Sequence, residues 1–109
     1  MTGGWVTQAD RARWQLRAAR ELTVILGDCG GLPPISWTVA PGGAVLAGRV
    51  NGLAPAGQVR ATLAAWREAL ALDGYREWPG GGGTIRLRAC GQRHEVRVRI
   101  SATVFEEAW

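Results

Sequence analysis

Lysine is absent from this chain: all thirteen basic side chains are arginine, and histidine, methionine, tyrosine and phenylalanine occur once each. One histidine and two distant cysteines at unrelated spacings are a poor start on the four ligands that a zinc site needs, so no metal is expected. Cys29 and Cys90 form no Cys-x-x-Cys unit, and nothing in their spacing asks for a disulfide. The first ten residues, MTGGWVTQAD, contain no apolar leader-like run, and no uninterrupted apolar stretch approaches bilayer length. The expectation is a cytoplasmic protein with reduced thiols and no membrane partner.

Catalytic chemistry is also missing. The run Gly80–Gly83 is followed by Thr84 and a strand pattern, without the Lys-Ser/Thr or helix start that would hold phosphate, so it reads as a linker. Gly27-Asp28-Cys29-Gly30-Gly31 follows a helical pattern rather than a strand, the wrong context for a dinucleotide fingerprint. Cys90 and His94 fall at a predicted hairpin tip, where water is not excluded and no third group orients the base. Glu106 and Glu107 are adjacent in the tail and make no acid–base pair. No enzyme, cofactor or small-molecule substrate is expected.

What remains is the material for one domain spanning 1–109, with 47% apolar and 20% charged residues. The net charge is +4 and the pI about 10.4, which raises the prior for a polyanionic partner. Exclusive use of arginine is also what codon bias in a GC-rich genome produces, so the pI overstates any basic patch.

Two helix–hairpin units divide the chain at 8–51 and 55–104, with a tail at 105–109. Thr7 followed by Asp10 resembles a capping box and opens a helix running to about Leu26. Ala12, Leu16, Ala19, Thr23 and Leu26 form its predicted core stripe, flanked by Ala18, Leu22 and Ile25. Strands at 35–40 and 44–51 alternate around Pro41-Gly42-Gly43. A second helix starts near Pro55, with Val59, Leu63, Trp66 and Leu70 facing the core and Asp73-Gly74 as its stop. Strand patterns at 84–89 and 96–104 then flank a turn at Gly91-Gln92-Arg93-His94. The predicted fold is α+β, in the order αββαββ: a four-stranded antiparallel sheet with both helices on one face.

Side chains alternate across a strand, so Arg86, Arg88, Arg97 and Arg99 must share the face opposite the core. Pairing Ala89 with Val96 and Leu87 with Val98 would set Arg88 against Arg97 and Arg86 against Arg99. Each like-charge pair would cost a few tenths of a kcal/mol. Arg49 takes the equivalent place in the first hairpin, among Ser36, Thr38, Ala47 and Asn51. This open face is expected to carry no aromatic residue, which counts against base stacking. Of the six tryptophans, Trp37 and Trp66 fall on core stripes and Trp14 borders one. Trp5, Trp78 and Trp109 lie at a terminus, a linker and a terminus, and are candidate interface residues.

The leading expectation is a non-enzymatic accessory or adaptor protein acting through protein–protein contacts, with a second copy of itself among the candidate partners. The alternative is a small nucleic-acid-binding or regulatory protein that contacts the phosphate backbone through Arg86, Arg88, Arg97, Arg99 and Arg49.

Overall fold

A computed structural model describes residues 6–105, in the order α1 (Gln8–Asp28), β1 (Ser36–Val39), β2 (Val45–Arg49), α2 (Ala56–Ala69), β3 (Gly74–Gly81), β4 (Thr84–Arg93) and β5 (Val96–Phe105). None of the helices is long and apolar enough to cross a membrane among these residues. The α1 start is the reciprocal box that the sequence suggests. Thr7 Oγ1 accepts from the Asp10 amide at 3.0 Å, and the Asp10 carboxylate accepts from the Thr7 amide at 3.1 Å.

The α+β class holds, but the sheet has five strands and is mixed, in the order β1-β2-β5-β4-β3. The fifth strand is β3, built from the segment expected to be a helix stop and a linker. Its residues alternate, with Tyr75, Glu77 and Pro79 toward the helices and Arg76 and Trp78 away from them. Proline is tolerated there because β3 is an edge strand, paired on one side only. The glycine run is a hairpin turn rather than a tether. Gly81, Gly82 and Gly83 take φ of 84°, 62° and 76°, which glycine alone adopts without strain, and Thr84 Oγ1 donates to the Gly81 carbonyl at 2.6 Å.

The antiparallel expectation fails at the join between hairpins, where β2 runs parallel to β5 with Arg49 beside Ser101. The predicted β4–β5 register is also displaced. Arg93 pairs with Val96, so the turn is the two residues His94 and Glu95, and Leu87 meets Ala102. Arg88 therefore opposes Ser101 and Arg86 opposes Thr103, rather than two further arginines. An even-numbered slip leaves every side chain on its expected face while changing every neighbour.

One core joins both helices to the same face of the sheet. It contains Ala18 and Ile25 of α1, Val59, Leu63 and Trp66 of α2, and Leu46, Leu87, Ala89, Val96, Val98, Ile100, Ala102 and Val104 of the strands. Trp66 is 2% exposed and donates its indole N–H to the Pro33 carbonyl at 2.8 Å. Trp37 meets it edge-on, with ring centres 5.7 Å apart. Gly43 is buried where α1 crosses the β1–β2 turn: a Cβ there would come within 2.3 Å of the Gln15 amide nitrogen.

Helix α1 is rotated from the predicted stripe. Its buried residues are Ala18, Glu21 and Ile25, while Ala12, Leu16, Ala19, Thr23 and Leu26 face outward. Leu16 and Leu26 are 51% and 50% exposed. The reason is polar. Glu21 is 6% exposed and accepts from Arg93 Nε at 3.1 Å and His94 Nδ1 at 2.7 Å. Arg17 reaches Glu95 at 2.8 Å. These contacts fasten α1 to the β4–β5 turn, where His94 and Glu95 hold the unfavourable φ values of 48° and 68°. Periodicity alone favoured the smoother apolar stripe. The buried carboxylate, satisfied by two donors, chose the other one.

Two stability predictions follow from this packing. Trp66→Ala removes a buried ring and its hydrogen bond, and should lower unfolding free energy by about 3–5 kcal/mol in urea titration. Burial pushes the Glu21 carboxyl up, but the hydrogen bonds from His94 and Arg93 and their charge outweigh it, and hold it below its ordinary value of 4.5. A depressed carboxyl contributes stability above its unfolded value and loses it as pH falls through the folded one. Stability should therefore decline below about pH 4.5. Glu21→Gln should be less stable at neutral pH and flatter across that acid limb; an unchanged limb would refute the role of Glu21.

Candidate binding face

Five strands in these registers place one row of side chains straight across the uncovered face: Arg76, Arg88, Ser101, Arg49 and Ser36. Trp78, Arg86 and Thr103 form the row beside it. Arg99 and Arg97 lie on β5 beyond the first row, opposite Cys90 and Gln92. The parallel β2–β5 pairing is what brings Arg49 to the second hairpin's arginines. With strands about 4.8 Å apart, Arg49 and Arg88 stand roughly 10 Å from each other across Ser101.

Six guanidiniums thus share the face: Arg49, Arg76, Arg86, Arg88, Arg97 and Arg99. The only acid within the described strands is Glu77, and it lies on the helix side, where it accepts from Arg60 at 3.2 Å and Tyr75 at 2.8 Å. None of the six enters an ion pair among the described residues. Arg76 and Arg88 are directly opposed, the like-charge neighbours that sequence reasoning had placed inside the β4–β5 hairpin. Both lean on Trp78, with guanidinium carbons 5.6 and 5.2 Å from the ring centre. The ring's electron-rich face partly offsets their repulsion.

Between these groups the surface is indented. A cleft of about 100 Å³ is lined by Arg49, Trp78, Arg86, Arg88, Ser101 and Thr103. A broader depression of about 500 Å³ continues past Arg49 and Thr103 toward Ser36, Asn51, Leu53 and Phe105. Arg88, which lines the cleft, has its Nε buried without a hydrogen-bond partner among the described residues. Leu53 and Phe105 are 94% and 67% exposed at the far end. By strand alternation Phe105 points to the same side as Arg97, Arg99, Ser101 and Thr103.

The face is therefore not free of aromatics, and the expectation of none is corrected: Trp78 and Phe105 stand at opposite ends of the indentation. From the sequence, Trp78 reads as part of a linker and Phe105 as part of the tail. Arg76 was missed for the same reason as Trp78. The alternation from Tyr75 to Gly80 was a usable signal, hidden by the glycine run that follows it.

The remaining candidates divide simply. Trp5, Trp109 and the Glu106-Glu107 pair lie outside the described residues. Cys29 caps α1 against the core and Cys90 lies on the open face within β4; both are free thiols. No cluster of three or more His, Cys, Asp or Glu capable of holding a metal ion occurs among the described residues. Compared with protein-family models, curated proteins and solved structures, the chain matches none.

Proposed function

We propose that this protein is a non-enzymatic binding protein whose open sheet face holds the phosphate backbone of a nucleic acid. One observation carries the reading: six arginines share the open sheet face, Arg49, Arg86 and Arg88 line its indentation, and no carboxylate lies on that face among the described residues. Guanidinium forks match phosphate oxygens in geometry as well as charge. The hydroxyls of Ser36, Ser101 and Thr103 supply neutral donors between them. The order of the two sequence expectations is reversed here because the face gained Arg76 and Trp78.

Binding of this kind is dominated by counterion release. If about five phosphates of a single strand are contacted, affinity should fall roughly a hundredfold between about 50 and 200 mM salt. The double variant Arg86→Glu, Arg97→Glu should abolish binding in a filter or anisotropy titration. Unchanged binding by that variant would remove this face from consideration.

A second reading, an accessory protein working through protein contacts, draws on a different surface. Ala12, Leu16, Ala19, Thr23 and Leu26 recur at the 4-3-4-3 spacing of a coiled-coil seam, and they are uncovered. A second copy seated there would make the protein a homodimer in light scattering, and Leu16→Glu with Leu26→Glu should return it to a monomer. A monomeric wild type at high concentration would count against self-association through α1.

A further inference from the structure

We infer that the nucleic acid taken by the open face is single-stranded, with bases stacked at Trp78 and Phe105 while Arg86 between them and Arg88 and Arg49 in the adjoining row hold the backbone. The inference rests on the phosphate-binding reading and names the form of the ligand.

Geometry argues first against a duplex. A five-stranded sheet spans about 19 Å from edge to edge, whereas the major groove of B-form DNA is only about 12 Å wide. The row of Arg76, Arg88, Ser101 and Arg49 crosses four of the five strands, from β3 to β2, a span of about 14 Å. No groove admits the whole row. A duplex lying on the face would meet it through phosphates alone and would leave both rings without a role.

The rings are placed for a different ligand. Trp78 and Phe105 sit two strands apart, with Phe105 two residues further along β5 than the partner row of Trp78. Sheet spacing puts their Cα atoms about 12 Å apart. Three to four base steps of about 3.4 Å fit that span. Arg86 lies on β4 between the two rings, with Arg88 and Arg49 in the adjoining row of the cleft, so a short strand spanning the rings passes Arg86 directly and the other two alongside. At the far end Phe105 and Leu53 expose apolar surface next to Arg49, a combination that water serves poorly and a nucleobase serves well. At the near end Arg76 and Arg88 brace the Trp78 ring. Guanidinium planes are themselves stacking surfaces for unpaired bases.

The selectivity should be for form rather than sequence. Stacking accepts every base.

The test is anisotropy with a labelled twelve-nucleotide oligo(dT), set beside a hairpin duplex of equal phosphate count, with inorganic polyphosphate as competitor. Oligo(dT) should bind at least about tenfold more tightly than the duplex. Trp78→Ala and Phe105→Leu should each weaken oligo(dT) binding at least about fivefold, the low end for loss of one stacked base. Both should leave polyphosphate competition within about twofold, because charge alone reads it. Trp78→Phe should recover most of the loss, which separates stacking from damage to the edge strand. Equal binding of oligo(dT) and duplex, or ring variants that weaken all polyanions alike, would overturn the single-strand inference while leaving phosphate binding intact. Failure of the wild type to bind any of the three would overturn the phosphate reading itself.

Discussion

Everything on both faces of this protein depends on the pairing of β5. It is the central strand, hydrogen-bonded to β4 on one side and, in the parallel sense, to β2 on the other. Its period-two alternation is unbroken over ten residues, with Val96, Val98, Ile100, Ala102 and Val104 buried and the intervening residues directed outward. The apolar set forms the floor on which α2 and α1 pack. The polar set, Arg97, Arg99, Ser101 and Thr103, with Phe105 at its end, forms the middle of the open face. A central strand cannot slip by one residue without exchanging these sets, so core and binding face are two consequences of one register.

That arrangement places like charges together. Arg76 opposes Arg88, and four more guanidiniums share the surface without an acid on it among the described residues. Each opposed pair costs a few tenths of a kcal/mol in water and salt, and a cation–π contact contributes about 0.5–1 kcal/mol in return. These terms are small beside the burial of Trp66, Leu63, Ile25 and the β5 valines. The fold tolerates a uniformly positive face because its stability comes from the opposite side of the sheet.

Helix α1 shows a different balance. Its outward stripe is more regular than its inward one, and the inward one contains a carboxylate. Glu21 is tolerated because Arg93 and His94 meet both of its oxygens, and the same contacts hold the β4–β5 turn in its left-handed conformation. Removing any member would leave a buried charge or a strained turn without its brace. The helix is thus tied to the strand pair that carries Arg86, Arg88, Arg97 and Arg99. The apolar seam it leaves outside is a second surface on the other side of the molecule.

The sequence by itself determined what depends on neighbours along one chain segment. The cap at Thr7, the core stripe of α2, and the shared outward face of Arg49, Arg86, Arg88, Arg97 and Arg99 all follow from periods of 3.6 and 2. Only the tertiary structure decided what depends on segments meeting. Tyr75 to Gly81 is a strand because β4 has a free edge to pair with it, not because its own composition insists on one. Trp78 consequently joins the arginines instead of lying in a linker. Arg49 reaches them through a parallel pairing that no local pattern encodes. The outward turn of Leu16 was settled by two hydrogen bonds to Glu21 from residues more than seventy positions away. Alternation specifies which side a residue faces; long-range pairing specifies which residues it faces there.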